Sequence, residues 1–291
     1  MAAISMTGFG RGCAESDGVR VEVELASVNR KQFDFSFSAP ASFSKFEAKS
    51  RDLVNARVTR GRVQCQTSVS FADVTGTGYD IEAIRLKADE MQKLADLTGL
   101  PNDLTLSKML TMPGVVLSPD QRLGEAVLWT VLEKALVEAL TSLCAMRKTE
   151  GEALAKDLSS RIASLQTRRG RVAALAPRVP QRYQEQLIKR IADLGVVLPV
   201  DDASLAREIA LCAERWDVAE ELTRLEAHVG HFMALLESSE PCGRQLDFLC
   251  QEMNREVNTI GSKANDAEIA STVIEMKSIV EAIREQVQNL E

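Results

Sequence analysis

The sequence predicts an α+β protein: a small N-terminal mixed β-sheet domain followed by a predominantly α-helical region with long, coiled-coil-like helices. Three observations carry this. Period-two alternation of apolar and polar residues is confined to the first 71 positions, and apolar residues after Gly78 recur at helical spacing. Aromatic residues make up only 4% of a chain that is 45% hydrophobic, which favours helices over a β-sandwich. At 291 residues the chain exceeds one ordinary core, so a division into residues 1–75, 76–200 and 201–291 is expected.

Taken in order, Val19-Arg20-Val21-Glu22-Val23-Glu24-Leu25 and Phe33-Asp34-Phe35-Ser36-Phe37 alternate as half-buried strands do. Pro40 opens a helical stretch over residues 42–59, and Arg60-Gly61-Arg62 turns into a strand over residues 63–69. The order strand, strand, strand, helix, strand is that of an α+β domain. After Gly76 and Gly78 a helix runs over residues 80–97, followed by a loop with Pro101, Pro113 and Pro119. No proline then interrupts until Pro177, and Leu158, Leu165 and Val172 recur every seven residues beside Leu154, Ile162 and Leu175. One or two long helices are expected there. An unbroken one would reach roughly 80 Å and project towards a partner subunit.

In the last helix Ile269, Val273, Met276, Val280, Ile283, Val287 and Leu290 form a continuous seam, with Asn265 or Asp266 as its cap. Such a seam serves either an antiparallel helix pair within the chain or a subunit interface.

Net charge is −7, which argues against indiscriminate coating of nucleic acid. Its distribution is uneven: residues 1–71 hold ten Lys/Arg against seven Asp/Glu, a net +3 that leaves −10 for the rest. Six scattered cysteines show neither a CxxC pair nor a disulfide framework, and read as reduced, mostly buried thiols. The first residues have neither a basic start nor an apolar run, and nothing approaches the roughly 20 apolar residues that span a bilayer, so a cytoplasmic, non-membrane protein is expected.

Two segments look chemical. Between residues 204 and 237 the apolar stripe rotates by nearly half a turn, which places a helix break near Asp217-Val218-Ala219-Glu220. Those four residues have the pattern of a capping box, so Asp217 reads as a cap or as a chemical group. Beyond the break Glu221, Arg224, His228 and His231 share one polar face, and these are the only two histidines. Histidine can act as base, acid or metal ligand near neutral pH, though a histidine face can also be plain surface.

The second segment spans residues 244–263. Its outer side presents Gln251, Asn254, Arg255, Asn258, Thr259 and Ser262, where an idle solvated helix would carry Glu, Lys and Ala. Amides and hydroxyls cost helix stability, so they point either to hydrogen bonds with phosphates and riboses or to a polar helix interface. Glu252, Glu256 and Lys263 flank this face, and the two carboxylates, at i and i+4, can share a cation.

These two segments resemble the strongest motifs of the YicC/YloC family of bacterial proteins. The likeness continues through Ser5-Met6-Thr7-Gly8-Phe9-Gly10-Arg11, Ser27-Val28-Asn29-Arg30, Arg60-Gly61-Arg62-Val63, Met146-Arg147 with Glu150-Gly151, and the ending from Arg284 to Glu291. Departures are Ala26, where the family often has a basic residue, the run Arg30-Lys31-Gln32, and Val257, where a small residue is common. The resemblance implies an α+β N-terminal domain before long helices, assembly into a ring-like homo-oligomer, a hexamer, and endonucleolytic cleavage of RNA that depends on a divalent cation, Mn2+ or Mg2+. Carried over residue by residue, it nominates Glu221, His228, Glu252 and Glu256 as catalytic groups and metal ligands. Arg30, Arg60, Arg62, Arg224, Gln251, Asn254, Arg255, Asn258 and Lys263 become candidates for holding RNA. It also allows an association with RNA-degradation machinery. The rival expectation is a non-catalytic oligomeric RNA clamp or adaptor that delivers transcripts to another nuclease, which needs the polar face but not the carboxylates with His228.

Overall fold

The structure is a computed structural model that describes residues 4–30, 32–72, 78–117, 122–195, 203–238 and 242–290. Lys31, Gly76, Pro119 and Glu291, and the expected boundaries at 75/76 and 200/201, lie outside the described residues. The chain folds as two compact units, Gly8–Met146 and Met1–Thr7 with Arg147–Glu291. This differs from the three-part division read from the sequence. The change of unit falls inside an unbroken helix, where no proline, glycine or change of composition marks it.

The Gly8–Met146 unit is built on a four-stranded mixed sheet of order β1-β2-β4-β3, comprising β1 (Gly8–Ser16), β2 (Val19–Val28), β3 (Asp34–Ser38) and β4 (Arg62–Phe71). β1 and β2 form a hairpin whose turn residues, Asp17 and Gly18, have φ of 51° and 76°. An Asp-Gly pair suits this two-residue turn because both positions need positive φ. β3 joins β4 in parallel through a 3-10 turn (Ala41–Phe46) and α1 (Glu47–Asn55), so the helix expected over residues 42–59 begins as a tighter turn.

Val19, Val21, Val23 and Leu25 alternate inwards along β2 and are fully buried. They share a core with Phe43, Phe46, Val54 and the first part of α4 (Glu125–Leu175), from Leu128 to Leu143. Close approach of α4 to β1 depends on two glycines: a Cβ on Gly10 would lie 2.2 Å from the Ala139 carbonyl oxygen, and one on Gly12 2.1 Å from that of Ala135. In chain order β4 is followed by α2 (Ile81–Thr98), capped by Asp80 and ended by Gly99 at φ 70°, and by the short α3 (Leu106–Leu110), before α4 begins.

The other unit is helical. The remainder of α4 is followed by α5 (Val179–Asp193), α6 (Ala203–Arg215), α7 (Ala219–Glu237), α8 (Gly243–Lys263) and α9 (Ala267–Val287). Leu158, Ile162, Leu165 and Val172 of α4 are buried in one core with the apolar faces of α7, α8 and α9. The seam from Ile269 to Leu290 is buried in that same core, each residue at most 3% exposed, so the seam closes inside the chain and supplies no subunit interface.

A short strap completes this unit. Ser5 bridges Leu290, the Met6 N–H donates to the Asn289 carbonyl at 2.8 Å, and the Ser5 N–H donates to the Arg147 carbonyl at 3.0 Å. The buried Arg147 guanidinium returns a hydrogen bond to the Ser5 carbonyl at 2.6 Å, and the Thr7 hydroxyl donates to Glu150 at 2.8 Å.

Six free thiols agree with the reading of the cysteines as reduced: Cys65, Cys212, Cys242 and Cys250 are buried, Cys144 is half-buried and Cys13 exposed. Burial pushes the Cys65 thiol up to about 11 and the Cys250 thiol up to about 12. Among the described residues no helix is long and apolar enough to cross a membrane.

Asp266 caps α9, accepting from the backbone N–H groups of Glu268 and Ile269 at 2.8 and 3.1 Å and from Arg182 at 2.7 Å. Burial works to raise its pKa, but these N–H groups and Arg182 together hold it below the usual aspartate value. A depressed carboxylate stabilises above its unfolded pKa of about 3.9, and that contribution is lost as pH falls through the folded value. Asp266→Ala is therefore expected to lower stability by about 1 kcal/mol at pH 7 and by clearly less at pH 3. Urea unfolding at the two pH values measures this, and an equal loss at both would contradict it.

Candidate functional site

The candidate groups of the helical unit gather on the hairpin of α7 and α8. The helix break expected near Asp217 is present, one residue later than the capping box requires: Val218, buried, occupies the cap, and Asp217 accepts from the Ala219 N–H at 2.9 Å from just outside the helix. Glu220 does not reach back to the cap but pairs with Arg224 one turn on. Burial of Val218 in the core decides which residue caps, because the apolar side chain has more to gain there than the aspartate loses.

Charged side chains alternate across the packed hairpin. Glu221 of α7 accepts from the Lys263 ammonium of α8 at 2.8 Å, and that ammonium also donates to the Asp217 carbonyl at 3.1 Å. Arg224, one turn along α7, lies 3.8 Å from Glu256, two turns back along α8. Glu221 and Glu256 are only 4% and 5% exposed, so each depends on its cation to remain charged away from water. Moving on by one more turn in each helix reaches His228 and Glu252, both half-buried. Neither makes a hydrogen bond or ion pair among the described residues, so this rung is open. The Oε2 atom of Glu221 is also buried without a hydrogen-bond partner. His231 is exposed.

The polar face of α8 is the second feature. Gln251, Asn254, Arg255, Asn258, Thr259 and Ser262 line an open depression of about 460 Å3. Several satisfy one another along the helix: Gln251 donates to Asp247 at 2.9 Å, the Thr259 hydroxyl to the Arg255 carbonyl at 3.0 Å, and the Ser262 hydroxyl to the Thr259 carbonyl at 2.9 Å. The exposed Arg255 guanidinium has no polar partner among the described residues.

Arg30, Arg60 and Arg62 belong to the other unit. Arg30 and Arg62 both turn to Asp34, the latter at 3.5 Å, so two cations share one carboxylate at the end of β3 and β4. Arg60 is half-buried, and its Nε has no hydrogen-bond partner.

The four nominated metal ligands do not converge as one set. Glu221 and Glu256 are engaged by Lys263 and Arg224, and among the described residues no three His, Cys, Asp or Glu side chains group closely enough to hold an ion. A closed cage made from this chain alone does not fit. Glu252 and His228 remain available, and Mg2+ commonly uses one or two carboxylates with substrate phosphates and water as its other ligands.

Three contacts escaped sequence reasoning: Lys263 on the Asp217 carbonyl, Glu220 on Arg224, and Arg169 of α4, which donates to the Leu222 carbonyl at 2.9 Å and pairs with Glu226. The Glu220–Arg224 pair had a legible signal in its i,i+4 spacing; the other two join distant segments and left none.

Fold and site define an α+β protein with a hydrogen-bonding helix face beside buried, ion-paired carboxylates. Residues 4–156 match the family model described as Endoribonuclease YicC-like, N-terminal region, and residues 172–291 match that described as Endoribonuclease YicC-like, C-terminal. A Clostridioides difficile protein named "Probable endoribonuclease YicC" is 34% identical over 292 residues, covering 99% of this chain and all of the relative. A Haemophilus influenzae protein of the same name is 33% identical over 289 residues, with 99% of both chains covered. The chain belongs to the YicC-like endoribonuclease family.

The Glu221–Lys263 pair makes a direct test of the hairpin. Lys263→Ala leaves a buried carboxylate without its cation and is expected to cost about 2–3 kcal/mol, the lysine being partly exposed. Adding Glu221→Gln should recover part of that loss by removing the stranded charge. Chemical denaturation of the two variants measures it, and a double variant less stable than Lys263→Ala alone would show that the pair does not act as a unit.

Proposed function

We propose that the chain is an endoribonuclease that lays RNA along the polar face of α8 and cuts it at the open rung of the α7–α8 hairpin. The observation that carries this reading is that His228 and Glu252, each one helical turn beyond the Arg224–Glu256 pair, are half-buried and make no hydrogen bond or ion pair among the described residues, in a chain whose relatives bear that name. Cutting a phosphodiester needs a group that removes a proton from the attacking oxygen and one that returns a proton to the departing 5′ oxygen. His228 can do either near neutral pH, and Glu252 can accept a proton or orient the ring. Arg255 and the neighbouring amides would hold the phosphates and ribose hydroxyls of the strand. A divalent cation, Mg2+ or Mn2+, would when bound activate a water and offset charge on the phosphate. Glu252 and His228 are the nominated ligands free to take it.

On this reading the substrates are structured or small RNAs, and the protein works in the cytoplasm as a homo-oligomer, a hexamer by family resemblance, beside RNA-degradation machinery. Support for assembly comes not from the α9 seam but from α2, which has no buried residue and exposes Leu86, Leu94 and Leu97.

Glu252→Gln and His228→Ala are each expected to reduce cleavage of a labelled RNA hairpin by roughly a hundredfold, about 2.7 kcal/mol of transition-state stabilisation, with little change in RNA affinity. Full cleavage by both variants would move the site elsewhere. A parent protein that binds RNA but cuts none with Mg2+ or Mn2+ would favour the clamp.

Arg60→Ala with Arg62→Ala is expected to weaken RNA binding and to reduce its salt slope by up to about one unit per lost phosphate contact. Affinity measured across a salt series checks this; an unchanged slope would take the sheet arginines out of the RNA path.

A further inference from the structure

A second concavity opens beside the start of α7. It encloses about 600 Å3 and is walled by Pro180, Trp216, Val218 and Leu222, with the acidic residues Glu214 and Asp217 among them and, among the described residues, no lysine or arginine in its lining. Tyr183 meets Trp216 edge to face, ring centroids 4.6 Å apart and planes at 83°, which fixes the indole in place. The groove adjoins the candidate site at Asp217, which lines the groove and whose carbonyl receives the Lys263 ammonium that pairs with Glu221.

Resting on the RNA-cutting reading above, we propose that this groove is a nucleobase subsite that takes guanine in preference to the other bases. Its volume lies within the range of about 300–1,000 Å3 of small-molecule pockets. Apolar walls with an indole offer stacking, the usual means of holding an unpaired base, whereas a lining without cations gives a phosphate nothing to pair with.

The two carboxylates then select among bases, because an ionised carboxylate only accepts hydrogen bonds. Asp217 spends one oxygen on the Ala219 N–H, while Glu214 is exposed and its carboxylate makes no hydrogen bond or ion pair among the described residues. Guanine presents two adjacent donors on its Watson–Crick edge, N1–H and the 2-amino group, which match both oxygens of one carboxylate. Adenine and cytosine set a ring-nitrogen acceptor beside their amino group, and uracil flanks its single N–H with two carbonyls. Each of these turns a lone pair towards the carboxylate.

The test is calorimetric titration of the full-length protein with guanosine 5′-monophosphate and cytidine 5′-monophosphate, with RNA cleavage assayed in parallel. The guanine nucleotide is expected to bind the parent about tenfold more tightly. Trp216→Ala should weaken its binding at least about fivefold, while Trp216→Tyr, which keeps a stacking ring against Tyr183, should stay within about twofold of the parent. Glu214→Gln should level the preference between the two nucleotides without unfolding the chain. Equal affinity of the parent for both nucleotides, or no binding of either, would overturn the subsite, as would a preference that survives Glu214→Gln. A parent that cuts RNA but shows no guanine preference loses the subsite and keeps the nuclease reading. One that prefers the guanine nucleotide but cuts no RNA keeps the subsite and loses that reading.

Discussion

Two carboxylates buried between α7 and α8 set the terms for the site. A carboxylate out of water must find a cation and hydrogen-bond donors or give up its charge. Glu221 finds Lys263, and Glu256 has Arg224 within reach, so both helices are locked in register by charge as well as by the apolar seam beneath. Such pairing adds little net stability compared with leucines in the same places, but it penalises any slip of one helix along the other, since a slip would strand both anions. The register so fixed holds His228 and Glu252 one turn further on, and it holds the amide and hydroxyl face of α8 turned outwards.

Much of the fold was legible because it is written in local periodicity. Val19 to Leu25 alternates and forms β2; the seam from Ile269 to Leu290 holds one face and is buried; the stripe that rotates near Asp217 marks a real helix break. The unresolved choice at the seam was settled by tertiary packing, which a periodicity cannot report: the same seven residues would suit a partner subunit or a neighbouring helix. The hairpin turn at Asp17-Gly18 carried a signal that the sequence reading passed over.

The site was legible only in part. Residue types on one helix could be assembled by spacing, and Glu221, Arg224 and His228 do share a face. Which of them would be consumed in ion pairs depends on the register between α7 and α8, two helices joined by a connection whose geometry a single sequence does not encode. Thus Glu221 and Glu256, nominated beside Glu252 as equivalent ligands, differ from it in being buried and paired. Conversely, the groove at Trp216 draws on two separate stretches of chain, neither unusual by itself.

The strap formed by Ser5 and Met6 bears on how the molecule comes to be made. Ser5 and Met6 are synthesised well before their partners, Asn289 and Leu290, with the sheet and all the helices in between. This segment must therefore wait for those partners while everything between is translated, and the helical unit closes only after α9 has been made. The Gly8–Met146 unit, whose core the sheet shares with the first part of α4, has no such dependence and can fold while α5 to α9 are still being made. Vectorial synthesis thus gives the two units a birth order, with the strap fastened after the sheet.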